Sequence, residues 1–533
     1  SPPLQISSVR LTSSLRVFLS RGNARRRGAI IACRLERNEK QPSQRLHIDS
    51  SMLQLLAAVL LLSPRVAAAV EEEEYYCYGD GHLHTSEPCR FFAIVIDAGS
   101  TGTRLQLYRF VHSTAKRGLP FHAEEEIFHE VKPGLSSFVG RPEEAAVSVQ
   151  QLIERARREV PERLRGRTPI VLKATAGLRL LPGDAAQRIL ENVNAIVRSS
   201  GFVCIGECVG ILDGNEEGVF SWFTLNLLLA RFYHDSAGNE VDPSPGRSAA
   251  AFDLGGGSTQ VTFWPQTDVL FEAHPGFRHD IDFFQTNMHL YTHSYLGLGL
   301  QAARLGVLQG EKEGEEEEGQ ELESPCFPPD FHLPEWEQSL KQWSVRGSAG
   351  YSLSACQKTA SEFVRRSEIG KLTDLRGSSH LYFFSYFYDR ARQAGLVSEG
   401  ESAKPIRVEQ WREAAERACS ISSFSSSSPH WLPWQCLDLS YIHALLKDGY
   451  GFDDDQEIIP VSSISGMGVS WALGSAYSLV DEFHRFLALE DIDDDVITRR
   501  SPVNATGVDL VDSLLTVISH RTTDVLQYFN LVS

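Results

Sequence analysis

A glycine-rich turn between two apolar strands occurs twice in this chain of 533 residues. Residues 93–108 read AIVIDAGSTGTRLQLY, and residues 250–263 read AAFDLGGGSTQVTF. In each copy an apolar strand ends in an aspartate, Asp97 or Asp253, and the turn leads into a second strand. A single turn of this kind is usually an ordinary hairpin. Two copies about one domain length apart instead predict two related α/β lobes that face each other across a cleft.

The two turns are rich in small and hydroxyl residues, which suits phosphate binding. Glycine lets the backbone come close to a phosphate, and the N–H groups and hydroxyls of such a turn then point at its oxygens. An aspartate at the end of each first strand would lie beside a divalent cation that bridges the phosphates. The repeated pattern therefore predicts a phosphate-bearing ligand and a divalent cation in the cleft.

The N-terminal region has the composition of a targeting segment. Residues 1–51 precede the first methionine and carry ten basic residues against three acidic ones, without helix or strand periodicity. Residues 52–70 read MLQLLAAVLLLSPRVAAAV, a short apolar run followed by small residues, as in a secretory signal peptide. Pro64 and Arg65 interrupt the run, which is shorter than the ~20 apolar residues of a membrane-spanning helix. We expect 1–51 to be a disordered upstream or targeting extension, 52–69 a signal peptide and 70–90 a lead-in, with no stable membrane span in the mature chain.

The charge of the chain argues against a nucleic-acid partner. The net charge is −18, and it becomes more negative when the basic extension is removed. Much of the acid lies in residues 310–323, GEKEGEEEEGQELE, which we interpret as a solvated, disordered insertion without a function of its own.

The cysteines agree with an oxidising compartment. Nine are present, and eight remain when Cys33 of the extension is left out, an even number typical of disulfides in a secreted chain. None has the spacing of a zinc site. The pairs nearest in sequence are Cys77/Cys89, Cys204/Cys208, Cys326/Cys356 and Cys419/Cys436, although spacing alone does not prove this pairing.

Periodicity predicts helices over Glu143–Leu164, Ala185–Val197 and Glu217–Phe232, with strands between them. The segment after Phe483 is acidic and predicts an irregular tail, which contains a glycosylation sequon at residues 504–506.

Two further segments carry residues suited to phosphate chemistry. Residues 172–181, LKATAGLRLL, read as a strand that ends at Thr175, whose hydroxyl could contact a terminal phosphate. Residues 210–226, GILDGNEEGVFSWFTLN, place Glu216 and Glu217 in the first turn of a helix. Acidic residues are common there because they stabilise the helix dipole. Between two phosphate-binding turns, however, a glutamate also fits the general base that hydrolysis requires.

Five segments in order resemble the signature segments of the apyrase, or nucleoside triphosphate diphosphohydrolase, family. They are DAGSTGTR, KATAGLRLL, ILDGNEEGVFSW, FDLGGGSTQ and GVSWALG, and the similarity runs from about Phe91 to Leu479. Three details are closest to the soluble nucleoside diphosphatases of the endoplasmic reticulum and Golgi: GGGSTQ, YTHSYLGLGLQAARLG and CLDLSYIHALLKDGYGF. The resemblance implies an enzyme that cleaves the terminal phosphate of UDP or GDP by direct water attack, in the secretory lumen or after secretion.

The resemblance also implies a fold and a set of roles. Two actin/hexokinase-like (ribonuclease H-like) lobes would hold the nucleotide between them, lobe I comprising 91–212 plus 462–483 and lobe II 213–461, before a flexible acidic tail, 484–533. Glu217 would be the catalytic base, with Ser258 and Gln260 positioning the water, and Asp97 and Asp253 would hold Mg²⁺ or Ca²⁺ through its water shell. The implied phosphate-binding residues are Ser100, Thr101, Gly102, Thr103, Thr175, Gly255, Gly256 and Gly257.

The remaining roles are less closely determined by the resemblance. Tyr388 and Tyr450 are candidates for stacking on the base, Trp471 for packing between the lobes, and Arg104 for added positive charge beside the first turn. The protein is expected to be a monomer, with disulfides that include Cys326, Cys356, Cys419 and Cys436.

Other functions remain open at this point. A broad-specificity secreted apyrase would also cleave ATP and ADP. A sugar kinase would have similar turns but would also need a sugar pocket. An exopolyphosphatase-like hydrolase would have similar turns but would lack the TAGLR and WALG segments that this chain contains. An actin-like protein that only binds nucleotide would not need the candidate catalytic residues that are present here.

Overall fold

The computed structural model describes residues 7–11, 15–19, 76–77, 89–112, 121–232, 242–283, 286–310, 319–367 and 369–498. The chain divides into two compact units, residues 1–73 and 74–533.

In the first unit, β1 (Ser7–Leu11) and β2 (Leu15–Leu19) pair antiparallel. The prediction that residues 1–51 lack regular structure is therefore wrong for these ten residues, in which Val9, Leu11, Leu15 and Val17 alternate with polar neighbours. The predicted signal peptide, 52–69, lies outside the described residues.

Lobe I of the second unit is built on a five-stranded mixed sheet in the order β5-β4-β3-β6-β7. The strands are β3 (Arg90–Ala98), β4 (Thr103–His112), β5 (Phe121–Val131), β6 (Ile170–Ala174) and β7 (Val209–Ile211). Strand β3 is apolar along almost its whole length and buried on both faces, as expected of a central strand. The end of β3 and its turn therefore have a rigid support.

Four helices follow β5 and β6 in lobe I: α1 (Pro142–Glu159), α2 (Glu162–Arg165), α3 (Ala176–Arg179) and α4 (Ala185–Arg198). The single helix predicted over Glu143–Leu164 is divided between α1 and α2, because Pro161 precedes α2 and cannot continue a helix. The apolar faces of α1 and α4 pack with one face of the sheet to form the outer core of this lobe.

Helix α5 (Gly214–Leu228) connects the lobes and carries the two glutamates of the first turn. The prediction placed its start at Glu217, but it begins three residues earlier because the Asp213 side chain accepts a hydrogen bond from the N–H of Asn215 and caps it. Buried residues occur on all sides of α5, as expected of a helix enclosed between two sheets.

Lobe II contains a seven-stranded sheet in the order β10-β11-β9-β8-β15-β17-β16 and a separate three-stranded sheet in the order β12-β14-β13. Its strands are β8 (Ala250–Leu254), β9 (Ser258–Phe263), β10 (Arg278–Phe283), β11 (Thr286–Leu296), β12 (Glu321–Ser324), β13 (His332–Gln338), β14 (Lys341–Gly347), β15 (Leu381–Ser385), β16 (Ile406–Arg407) and β17 (Glu457–Pro460). Its helices are α6 (Leu270–Ala273), α7 (Leu300–Gln309), α8 (Leu353–Arg366), α9 (Tyr386–Gln393), α10 (Val408–Ala418) and α11 (Gln435–Ala444).

The two large sheets share one topology. The order β5-β4-β3-β6-β7 in lobe I matches β11-β9-β8-β15-β17 in lobe II, with the same antiparallel and parallel pairings. The glycine-rich turns connect β3 to β4 and β8 to β9, at equivalent places in the two sheets. The two-lobed α/β fold predicted from the repeat is confirmed.

The chain ends with a short hairpin, β18 (Ser463–Ile464) and β19 (Met467–Gly468), and with helix α12 (Trp471–Thr498). The prediction of an irregular tail after Phe483 is wrong as far as Thr498, since Phe483 and Leu487 lie one helical turn apart and are both buried. The acidic insertion is also shorter than predicted, because Glu321 and Glu323 lie in β12, paired with β14.

Helices α5 and α12 form the core between the two sheets. They approach so closely that a side chain on Gly474 would lie 2.5 Å from the carbonyl oxygen of Phe220, and the N–H of Gly474 donates to Thr224 Oγ1 at 2.8 Å. Trp471 is buried in the same core, as predicted.

All four cysteine pairs nearest in sequence form disulfides: Cys77–Cys89, Cys204–Cys208, Cys326–Cys356 and Cys419–Cys436. Within the described part of the chain, no helix is both long enough and apolar enough to cross a membrane.

Candidate active site

The two glycine-rich turns meet at a cavity of about 730 Å³ between the sheets. They are in contact, since a side-chain carbon on Gly256 of the second turn would collide with Ser100 Oγ of the first. The cavity is lined by ten of the residues predicted to act on phosphate, cation or water: Asp97, Ser100, Thr101, Thr175, Glu217, Asp253, Gly255, Gly256, Gly257 and Ser258. Segments far apart in sequence thus converge on one site.

The backbone of the second turn is oriented for anion binding. The carbonyl oxygens of its three glycines, Gly255 to Gly257, accept in that order from the N–H groups of Leu300, Gln301 and Gly297. These carbonyls therefore point toward the start of α7. The N–H groups of Gly256 and Gly257 have no backbone acceptor among the described residues. These two donors can therefore bind phosphate oxygens at the cavity wall.

Asp97 lies at the end of β3 beside a positive charge. Arg104 Nη1 is 3.0 Å from Asp97 Oδ2, and its Nε is 3.0 Å from Glu130 Oε1. Burial raises the pKa of Asp97 from its ordinary value, and Arg104 opposes that shift. Arg104 also donates to Thr101 Oγ1 at 3.2 Å, so it holds the first turn in place as well as facing the cavity.

Asp253 lies at the equivalent end of β8 but faces no arginine as closely. Its cross-strand neighbour is Gln260, whereas that of Asp97 is Arg104. Burial raises the pKa of Asp253 to about 6, and the hydroxyl of Ser385 opposes that shift. Asp253 is thus an acidic side chain that is costly to ionise in the protein alone.

The two aspartates fit a hard divalent cation. Asp97 Oδ1 is buried and has no hydrogen-bond partner among the described residues. Carboxylates and hydroxyls at the cavity, with no sulfur or imidazole among the predicted site residues, are the oxygen donors that Mg²⁺ and Ca²⁺ prefer. A cation held near Asp97 and Asp253 would supply the missing partner and stabilise the ionised form of both.

Glu217 lies in the first turn of α5 with its carboxylate at the cavity. Its Oε2 accepts from Arg179 Nη2 at 2.7 Å and from Gln260 Nε2 at 3.2 Å. Burial raises the pKa of Glu217 to about 8; Arg179 lowers it, while Asp253 and Asp97 raise it further. In the protein alone this pKa leaves Glu217 mostly protonated near neutral pH, and a cation near Asp97 and Asp253 would lower it, so that the ionised carboxylate could accept a proton from a reacting water.

Three predicted residues lie behind the cavity wall. Gln260 is buried and donates to Ser258 Oγ at 2.7 Å as well as to Glu217. Thr103 is fully buried at the start of β4, and Gly102 lies under the turn, where a side-chain carbon would come within 2.6 Å of the Glu130 carboxylate. Gly102 and Thr103 therefore shape the first turn without lining the cavity.

The prediction for the base-binding tyrosines needs correction. Tyr450 is fully buried in the core of lobe II, with its hydroxyl 3.1 Å from Thr259 Oγ1, so it cannot stack on a ligand. The Tyr388 hydroxyl donates to the carbonyl of Glu401 at 2.6 Å, and its ring packs against the same core. Tyr386 lines the cavity instead, because residues two apart point to opposite sides of a helix that begins at Tyr386.

Several residues at the site were not identified from the sequence. Arg179 contacts Glu217, and Trp431 lines the cavity. Ser385 lines it at the end of β15 with φ 58° and ψ −126°, a conformation that non-glycine residues rarely adopt and that is common at functional sites. Ser385 could have been found from the repeat, because its strand is the lobe II equivalent of the strand that ends before Thr175.

Comparison with known proteins shows that this chain is similar to nucleoside phosphatases. A model of the GDA1/CD39 (nucleoside phosphatase) family matches residues 83–491. The nucleoside-diphosphatase uda-1 of Caenorhabditis elegans is 46% identical over 482 residues, which cover 89% of this chain and 98% of that protein. The human nucleoside diphosphate phosphatase ENTPD5 is 38% identical over 401 residues, 73% of this chain and 87% of that protein.

Among solved structures, a nucleoside triphosphate hydrolase of Neospora caninum matches 80% of this chain and 96% of its own, with a TM-score of 0.52 at 14% identity. At this identity the match shows a shared fold. The family match covers both lobes and all five signature segments. The chain is therefore a phosphohydrolase that belongs to the GDA1/CD39 family of nucleoside phosphatases.

Proposed function

We propose that this protein is a nucleoside diphosphatase of the secretory pathway, which converts UDP, GDP and similar nucleotides to the monophosphate and inorganic phosphate. The observation that carries the proposal is the position of the Glu217 carboxylate, at a cavity enclosed by two phosphate-binding turns and two aspartates. The similarity to relatives named as nucleoside diphosphatases over most of the chain supports the diphosphate as substrate.

In the proposed reaction the terminal phosphate binds between the two turns. The N–H groups of Gly256 and Gly257 and the hydroxyls of Ser100, Thr101 and Thr175 would bind its oxygens. Glu217 takes a proton from water, which attacks the phosphorus in line with the departing monophosphate, and no phosphoenzyme forms. Ser258 lies at the cavity and, together with Gln260, would orient that water. Positioning and charge stabilisation would provide most of the acceleration.

Asp97 and Asp253 would hold a divalent cation, Mg²⁺ or Ca²⁺, largely through its water shell. When bound, the cation neutralises charge on the phosphate oxygens. Arg104 supplies a second, permanent positive charge on the lobe I side.

The nucleoside would extend from the turns along the cavity wall. Tyr386 and Trp431 line the cavity and are partly exposed, so that their rings could stack on the nucleobase. These two residues replace Tyr388 and Tyr450 as candidates for base binding.

The sequence and the disulfides support the proposed compartment. Four disulfides require an oxidising environment, and residues 52–69 resemble a signal peptide. A luminal or secreted diphosphatase fits both features.

The test is phosphate release from UDP, GDP, ADP and ATP by the purified protein, with Mg²⁺, Ca²⁺ or EDTA and no acceptor. We expect cation-dependent cleavage of UDP and GDP and poor cleavage of ATP. Comparable cleavage of ATP and ADP would make the protein a broad apyrase. Nucleotide binding without phosphate release would contradict the enzymatic proposal.

A further inference from the structure

Arg179, the last residue of α3, reaches from lobe I to two side chains of lobe II at the site. Its Nη2 donates to Glu217 Oε2 at 2.7 Å and to Ser258 Oγ at 3.3 Å. The arginine and the glutamate side chains are both largely buried, at 14% and 8% exposure. A charge-assisted hydrogen bond of this length between buried groups fixes the orientation of the carboxylate.

The surroundings of Arg179 leave little freedom for the side chain or for α3. A side-chain carbon on Gly214, the first residue of α5, would collide with Arg179 Nη1. One on Gly177 would lie 2.8 Å from the Cα of Ser100, and one on Gly257 would lie 2.9 Å from the Cβ of Ala176. Helix α3 is therefore packed against both phosphate-binding turns while its last residue contacts the glutamate.

Arg179 does not line the cavity, whereas Glu217 and Ser258 both do. A substrate phosphate in the cavity therefore meets the glutamate and the serine, with the arginine behind them. This arrangement separates Arg179 from Arg104, which lines the cavity and can face the substrate directly.

The charges around Glu217 act in opposite directions. Asp253 and Asp97, at the ends of β8 and β3, disfavour the ionised glutamate, and Arg179 favours it; the close neighbour from β9, Gln260, is neutral. Among the described groups that act on Glu217, Arg179 is the positively charged one. Its removal would leave a buried carboxylate near two others of the same sign.

We propose that Arg179 is a positioning residue for the hydrolysis: it holds the Glu217 carboxylate and the Ser258 hydroxyl in place from the opposite lobe, and its positive charge favours the negatively charged glutamate. The inference rests on the proposed role of Glu217 as base.

The test compares Arg179→Gln with the parent protein in the pH dependence of kcat and KM for UDP, at saturating Mg²⁺ so that the aspartates are neutralised equally. We expect the acidic limb of the kcat profile to move upward by about one pH unit or more, since an adjacent arginine commonly shifts a carboxyl pKa by one to three units. At pH 7 kcat should fall about tenfold or more and recover at higher pH, while KM changes less than about twofold.

Two other results would overturn the proposal. An equal loss of kcat at every pH would mean that Arg179 only supports the fold, and a rise in KM at constant kcat would mean that it binds substrate. A parent protein that hydrolyses none of the nucleotides would instead remove the proposed function itself, before any variant is compared.

One further variant keeps the test decisive if Arg179→Gln folds poorly. Arg179→Lys keeps the charge but not the planar geometry, so its profile should lie between those of the parent and the Gln variant. In a Glu217→Gln background, Arg179→Gln should cause no further loss of kcat, and a further tenfold loss would contradict action through Glu217.

Discussion

The strand pairs β3–β4 and β8–β9 have the same topology but place their aspartates in different surroundings. At the same cross-strand position, Asp97 is opposite Arg104 and Asp253 is opposite Gln260. Arg104 contacts its aspartate at 3.0 Å, whereas the Gln260 amide turns to Glu217 at 3.2 Å.

One changed position therefore gives two similar turns different surroundings. In lobe I an arginine opposes the effect of burial on the aspartate. Under the proposed function, the aspartate of lobe II would depend more on a bound cation, while the neutral amide opposite it donates to the glutamate. A second arginine opposite Asp253 would compete with the cation and would pair with Glu217.

The largest expected effect is that of Asp253→Asn. Because Asp253 lacks a close arginine, its charge should contribute most to holding the cation. We expect phosphate release from UDP to fall about 10²–10³-fold, comparable to the loss of a main charge-stabilising group. Activity as a function of Mg²⁺ concentration measures this, and an unchanged activity would remove the proposed difference between the two turns.

Asp97→Asn should have a smaller effect. Arg104 remains at the turn and retains Glu130 as a partner, so the local structure and a positive charge are preserved. A loss of about tenfold is expected, within the range for groups that support a metal site indirectly. Both variants should be measured at the same Mg²⁺ concentrations. A loss of activity in Asp97→Asn equal to or greater than that in Asp253→Asn would contradict the proposed difference between the two turns.

Phosphate release from UDP is expected to fall several-fold in Gly256→Ala. The added methyl group would collide with Ser100 Oγ, which can rotate away but then leaves the phosphate-binding position. Gly255→Ala is the matched control, because its methyl group would meet only the carbonyl oxygen of Ser258 at 3.3 Å.

Steady-state kinetics of Gly256→Ala with and without Ser100→Ala tests the contact between the turns. The Ser100→Ala change removes the colliding oxygen, so the effects of the two substitutions should not add. Fully additive losses would show that the turns do not touch in solution.

The smallest effect concerns stability. The pKa of Glu217 is raised from 4.5 to about 8, so the folded protein binds a proton more readily than the unfolded chain between those values. Glu217 therefore makes the fold less stable as pH rises through this window. Glu217→Gln removes that dependence, and its Tm advantage over the parent, measured without cation, should grow by a few degrees from pH 5 to pH 8. An advantage that is constant with pH would contradict the raised pKa.

The turns and the glutamate could be predicted from the sequence because each depends on a short local pattern. A strand that ends in an aspartate, followed by glycine and hydroxyl residues, is usually an ordinary hairpin when it occurs once, but its repetition predicts two lobes with a phosphate site between them. The four disulfides also join the cysteines nearest in sequence, although their spacing alone did not establish that pairing.

The residues proposed to stack on the nucleobase could not be predicted in the same way. Which aromatic residue of 382–388 faces the cavity depends on the residue at which α9 begins, and shifting that start by two residues exchanges Tyr386 for Tyr388. Tyr450 lies in a loop whose burial depends on the whole of lobe II. Local patterns do not contain that information.

The contact between Arg179 and Glu217 depends on how the lobes pack. The two residues are 38 positions apart and lie on elements of different lobes. The tail was misjudged for a related reason: its acidic residues obscured the helical spacing of Phe483 and Leu487, whose burial depends on contact with lobe I.

The central claim is that Glu217 is the base of a nucleoside diphosphatase. The most direct measurement is phosphate release from UDP with Mg²⁺ by the parent and by Glu217→Gln, with UDP binding measured on the same samples. The account predicts that turnover falls about 10²-fold or more, the scale of general base catalysis, while UDP affinity stays close to that of the parent. Normal turnover by the Glu217→Gln variant would contradict it.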